Sequence, residues 1–186
     1  ELRDLTRYRK SIVSQLSSQK NRIEKHLQSC GFKLSTFLSD ILGASGRAII
    51  DYIANNGSIS VEKVDESVKG SARQKLNEIK IAINGKMNSH QREFLKLLLG
   101  HLDQIRQNLR QIDDQIDSKL KDYQSEADQL DSIPGIAKTA CASIIAEIGV
   151  DMSKFKTSEH LCSWAGLSPR NDESAGKKKC TKVMHG

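Results

Sequence analysis

Residues 95–123 read LKLLLGHLDQIRQNLRQIDDQIDSKLKDY, and their periodicity decides the fold class. Leu95, Leu98, Leu102, Ile105, Leu109, Ile112, Ile116, Leu120 and Tyr123 follow one another at steps of three and four. With 3.6 residues per turn, such steps return to one face, so the segment is a long amphipathic helix with a heptad seam. The register drifts once, from Ile116 to Leu120, as a stutter would make it. A helix with one apolar stripe must cover it against another helix. Antiparallel packing on the first helix of the chain, plus a homodimer contact, is the expected arrangement, and spacing does not separate the two.

Working back toward the start, Leu2, Leu5, Ile12, Leu16, Ile23 and Leu27 form the stripe of a second long helix, which Gly31 is expected to end. Between the two long helices the pattern is more broken. A shorter helix is expected over 34–54, with Gly43-Ala44-Ser45-Gly46 allowing a bend or the close approach of another backbone. Asn55-Asn56-Gly57-Ser58 reads as a turn. Val61, Val64, Val68, Leu76, Ile79 and Ile83 mark further helical pieces, interrupted near Gly70 and Gly85. Only 4% of residues are aromatic and only two are proline, which suits long helices and argues against a thick β-sandwich core. The expected class is therefore all-α: long coiled-coil-like helices followed by a small helical domain.

The composition changes near Ser125-Glu126-Ala127-Asp128, after which short apolar runs alternate with Gly and Pro. Two domains are expected, 1–127 and 128–186. The net charge of +6 is polarised. Residues 1–33 carry eight Lys/Arg against three Asp/Glu, and residues 165–186 carry five against two, around a slightly acidic centre. Segregated positive charge suits a phosphate backbone better than a uniformly solvated surface does. Cys30, Cys141, Cys162 and Cys180 contain no C-x-x-C pair, and the five histidines add no ligand spacing. No zinc site, disulfide framework, signal peptide or bilayer-spanning run is read, and a reduced, intracellular setting is expected. The chain opens at Glu1 without an initiator Met and stops just past a basic run, as a piece of a longer protein would.

Two stretches of the second domain bear on chemistry. Leu130-Asp131-Ser132-Ile133-Pro134-Gly135-Ile136-Ala137-Lys138-Thr139-Ala140 resembles a helix-hairpin-helix, whose second helix offers free backbone N–H groups to a nucleic-acid phosphate. Gly135 would allow close backbone approach, and Lys138 would stand in the first turn beside the anion. Ala137 replaces a second glycine common in such hairpins, and a plain tight turn between packed helices remains the competing reading. Further on, Ser158 reads as the N-cap of a short helix ending at Gly166, with Trp164 in its core. Arg170-Asn171-Asp172-Glu173-Ser174-Ala175-Gly176-Lys177-Lys178-Lys179 reads as a polar loop with a serine in a basic setting. It is not a phosphate-binding Walker loop, since Asn171 stands at the first glycine and no Ser or Thr follows Gly176-Lys177. By residue chemistry alone Ser174 is an ordinary loop serine.

The ordered set of motifs says more. Ile-Pro-Gly-Ile at 133–136, Ala-Glu-Ile-Gly at 146–149, Phe155, Leu-Cys-Ser-Trp-Ala-Gly-Leu-Ser-Pro at 161–169 and Glu-Ser-Ala-Gly-Lys at 173–177 resemble one family. It is the bacterial insertion-sequence transposases that are guided by a bridge RNA and join a RuvC-like domain to a C-terminal serine transposase domain. The opening Glu1-to-Arg9 segment and Asp40-Ile41-Leu42-Gly43-Ala44-Ser45-Gly46-Arg47 resemble that family's linking region. The resemblance implies an upstream RuvC-like domain, not present in this chain, which would hold a divalent metal such as Mg; no cofactor is expected in the chain itself. It implies DNA and a guide RNA as partners, a dimer built through the coiled coil, no membrane association, and a cytoplasmic, nucleoid-associated location in a bacterium or archaeon. Ser174 matches the family's catalytic serine. It would attack a DNA phosphodiester and hold the strand as a phosphoserine until rejoining. Arg170, Lys177, Lys178 and Lys179 would neutralise and position the scissile phosphate. A non-catalytic helix-hairpin-helix module on a coiled-coil arm is the alternative.

Overall fold

The computed structural model describes residues 1–168, 172–174 and 176–180, with Ser71, 172–174 and 178–180 as backbone only. The described chain is helical almost throughout, and it divides into two compact units, Glu1–Lys119 and Leu120–Gly186.

The first unit is built on α1 (Leu2–Ser29) and α5 (Ser89–Leu120). They run antiparallel within the chain. Cross-links climb one helix as they descend the other: Glu1 to Lys119 at 2.6 Å, Arg9 to Asp113 at 2.6 Å, Gln19 to the Leu98 carbonyl at 2.8 Å, and His26 to the Gln91 carbonyl at 2.9 Å. The last two are one heptad apart on both helices. The carbonyls accept, so Gln19 donates through Nε2 and His26 through its Nε2–H. Burial on α5 falls on Leu95, Leu99, Leu102, Ile105, Ile112, Ile116 and Leu120, with Leu98 and Leu109 at the margin. Leu99 thus takes the place expected of Leu98, because three consecutive leucines leave the sequence no way to say which one faces inward. On α1 the seam holds Ile12, Leu16, Gln19, Ile23 and Leu27. Gln19 is buried at a position an apolar pattern skips, and its bond to Leu98 offsets the cost of drying a polar side chain.

Three shorter helices close the unit. The expected helix over 34–54 is in fact a 3₁₀ turn at Leu34–Thr36, a loop, and α2 (Ala44–Asn56). The break falls at Gly43, the residue before α2, and Gly46 sits so close to the Ile41 backbone that a Cβ there would collide with its carbonyl. Arg47 on α2 grips both carboxylate oxygens of Asp103 on α5, at 2.7 and 2.8 Å, and Asp51 on its own helix at 2.9 Å. Helix α3 (Val61–Ser67) starts at Ser60, whose hydroxyl accepts from the Lys63 amide, and α4 (Leu76–Ile81) follows a 3₁₀ stretch. Entry into α5 is held by reciprocal bonds between Asn88 and Gln91, each 2.9 Å, the pattern of a capping box. Phe32, Leu34, Ile49, Ile50, Ile53, Val64 and Ile79 fill the space against Ile23, Leu27, Leu95 and Leu102.

The second unit is thinner. It contains α6 (Gln124–Asp131), α7 (Lys138–Ile148), α8 (Ser158–Trp164), β1 (Asp172–Ser174) and β2 (Lys177–Cys180). Ala127 of α6 and Cys141, Ala142 and Ile145 of α7 are its buried side chains in these two helices, which pack on each other. The small residues at that contact enclose little volume. Among the described residues no helix is long and apolar enough to cross a membrane.

Candidate functional site

Two places in the second unit carry the residues that the sequence singled out. The first is the connection from α6 to α7. Ile133-Pro134-Gly135-Ile136 forms a tight turn closed by the Ile136 amide on the Ile133 carbonyl at 3.0 Å. Proline at the second position and a glycine at φ +92° at the third are the requirements of a type II turn, since the left-handed third position disfavours any Cβ. The turn is exposed, and a Cβ on Gly135 would meet nothing within 4 Å, so the backbone lies open to an approaching surface.

Ala137 then leads into α7 at φ −96° and ψ 169°, extended backbone that alanine adopts without strain. The missing second glycine therefore does not distort the turn. Ala137 accepts from the amides of Ala140 and Cys141 at 2.7 and 3.0 Å, and no side chain caps the helix. The Ala140 amide is thus already bonded within the first turn. Lys138 is exposed there, but it lines a pocket together with Asp128 and Asp131 of α6, Gln124 and the buried Cys141. Two carboxylates around the lysine offset its charge.

The second place is the basic segment. The sequence reads a loop there; the chain instead forms a short antiparallel hairpin. Ser174 pairs with Lys177, Glu173 with Lys178 and Asp172 with Cys180, with a bulge between the last two rungs. Gly176 lies in the connection at φ +72°, a conformation that L side chains rarely adopt. A signal for the hairpin was present: an acidic arm and a basic arm flank a small residue and a glycine, and opposite charges across two strands favour pairing. Ser174, Lys177, Lys178 and Lys179 are gathered on this hairpin, while Gly135 and Lys138 belong to the α6–α7 turn. Lys177 is exposed. Arg170 lies outside the described residues.

Between them, α8 corrects two expectations. Its cap is Thr157, whose hydroxyl accepts from the His160 amide at 3.4 Å, and Ser158 is the first helical residue. Trp164 is not in a core. It is 56% exposed, in edge-on contact with Phe155 at 5.7 Å between ring centres, because α8 has only seven residues and little packs over it. Leu167, at 64%, is also open. Nearby carboxylates are tuned as caps rather than as bases. The Ser153 hydroxyl and amide hold Asp151 below the usual carboxylate range, and the Thr157 hydroxyl does the same for Glu159, with its own amide and Ser158 adding to it. Both shifts weaken the group as a proton acceptor. Among the described residues no group of three His, Cys, Asp or Glu side chains is arranged to hold a metal.

Residues 127–186, which contain the turn, α7, α8 and the hairpin, match the family model described as Transposase_20, the transposase IS116/IS110/IS902 family. That match, over the last third of the chain, supports an insertion-sequence transposase, an enzyme class that cuts and rejoins DNA. No curated protein and no solved structure matches the chain.

Proposed function

We propose that the chain is the coiled-coil and transposase portion of a serine-dependent DNA transposase, with Ser174 as its nucleophile. The observation that carries this reading is that the family match spans the segment bearing Ser174 and its basic neighbours. In this reading Oγ of Ser174 attacks a DNA phosphodiester and stores the strand as a phosphoserine, so that rejoining needs no external energy source. Arg170, Lys177, Lys178 and Lys179 supply positive charge around the scissile phosphate, and Gly135 and the first turn of α7, with Lys138, hold a neighbouring phosphate. Division into domains 1–127 and 128–186 places the boundary where the family match begins.

The guide RNA lies along the first domain, whose α1 carries exposed Arg3, Arg7, Lys10, Arg22 and Lys25. A homodimer is supported by Leu97 on α5, which stays 72% exposed after the intramolecular seam is complete. The divalent metal belongs to a RuvC-like domain joined to this chain. Among the described residues no group of three His, Cys, Asp or Glu side chains is placed to hold that metal. The setting is cytoplasmic, at the nucleoid.

The open Gly135 turn and uncapped α7 favour a second reading, a non-catalytic DNA-binding module on a coiled-coil arm. One experiment divides the two. In a protein that joins this chain to a RuvC-like domain, Ser174→Ala abolishes strand exchange and leaves DNA affinity nearly unchanged. Exchange that survives the substitution removes Ser174 as nucleophile. In either reading DNA affinity falls steeply with salt, and a flat response removes the phosphate contacts.

A further inference from the structure

The basic run Lys177-Lys178-Lys179 looks uniform in sequence, and the hairpin makes its members inequivalent. Ser174 and Lys177 are direct partners across the two strands. Lys178 is opposite Glu173, a carboxylate, and Lys179 is the extra residue between the Glu173 and Asp172 rungs. Direct partners in an antiparallel pair have Cα atoms about 4.5–5.5 Å apart, and each is the other's nearest cross-strand neighbour. The glycine at φ +72° in the connection keeps the strands turned back on each other and so preserves that adjacency.

We propose that Lys177 is the residue that positions the scissile phosphate on Ser174 and balances its charge during attack, a role Lys178 and Lys179 do not share. The proposal rests on Ser174 being the nucleophile. Serine has a one-carbon reach, so the attacked phosphorus must come within about 3–3.5 Å of Oγ. A lysine one strand away has a four-carbon stem and a compact charge, enough to meet the non-bridging oxygens of that same phosphate. In the step itself the Oγ–P bond forms as one P–O bond to deoxyribose breaks. The proton that Ser174 loses is matched by the proton the leaving sugar oxygen gains, so the step is balanced. Lys177 keeps its own proton throughout and acts by charge and position.

That distinction sets the experiment. A denaturation-resistant protein–DNA adduct is trapped on nicked DNA, with this chain joined to a RuvC-like domain and supplied with guide RNA. Adduct formation is timed at saturating DNA, and affinity is measured separately. Lys177→Gln slows adduct formation by roughly 100–1,000-fold, the scale for removing one preorganised group that stabilises transition-state charge, and changes affinity only a few-fold. Lys177→Arg, which keeps the charge, restores most of the rate, and Lys178→Gln, which removes a charge that attracts phosphate generally, weakens DNA affinity and slows adduct formation far less than Lys177→Gln does at saturating DNA. Equal losses in the Lys177→Gln and Lys178→Gln proteins overturn the proposal while leaving Ser174 in place. So does an arginine variant as slow as the glutamine one, which would mean proton transfer rather than charge. An adduct that persists in Ser174→Ala instead sinks the nucleophile reading, and this proposal with it.

Discussion

The two units of this chain solve the problem of burial in opposite ways. The first commits most of its apolar residues inward: two antiparallel helices of 28 and 32 residues share a seam, and three short helices close the unit, though Ile81 and Leu97 stay open. Among the described residues, every large side chain that is almost completely buried, from Phe32 through Ile79 to Leu102, belongs to it. The second unit buries alanines, a cysteine and an isoleucine between α6 and α7 and leaves Ile133, Val150, Met152, Trp164 and Leu167 substantially open. Yet it is the second unit that holds the family match and the candidate nucleophile. A scaffold needs a core of its own. A surface that works on DNA needs open backbone, exposed cations and apolar area not already committed to packing.

The most damaging substitution should lie in the seam. Leu102→Ala removes a fully buried side chain and is expected to cost about 2–5 kcal/mol of stability in urea unfolding of the chain. A loss below about 1 kcal/mol would mean the seam is not the core of the first unit.

A smaller effect is expected at its edge. Arg47 bonds to Asp103 and holds that carboxyl below its ordinary range, with nearby Arg106 and Arg110 adding to it. A depressed folded value means the contribution is complete above the unfolded value, begins to fade near about pH 4, and is lost as pH falls through the lower folded value. Because the Asp103 side chain is half exposed, the pair contributes at most about 1 kcal/mol. Asp103→Asn should lower stability at pH 7 by no more than that and flatten the acid limb of the stability curve. An unchanged acid limb would show that other carboxylates govern it.

The smallest effect belongs to the second unit. Trp164→Ser should shift stability by about 0.5 kcal/mol or less, as open surface positions do. Trp164 is also the single tryptophan of the chain, so its fluorescence reports on that surface alone. Red-shifted emission, readily quenched by acrylamide, is expected. Strong protection would break the contrast between the units by showing that the face is covered.

Much of the first unit was readable in advance because helical periodicity is a local property. The stripes of α1 and α5 follow from spacing, and the need to cover them implies their pairing. The loop before α2 was missed because Leu38, Ile41 and Leu42 are apolar enough to extend a helical pattern, while their burial comes from elsewhere in the unit. Gln19 was missed for the reason it matters. A polar residue in a seam is legible only once the carbonyl it reaches is known. In the second unit, the turn at Gly135 was readable from Pro-Gly chemistry, whereas Trp164 followed the rule that large aromatics are buried, and that rule fails where a helix is too short to gain a covering layer.

Local chemistry by itself thus determined the helical class, the two long stripes, the Pro-Gly turn and the polarised charge, because each depends on residues within a few positions of one another. Tertiary structure alone decided which leucine faces inward, which cation stands opposite Ser174, and that Lys138 shares its pocket with Asp128 and Asp131. Those depend on register between segments. Register is set by whole-chain packing and strand pairing, which no stretch of sequence contains.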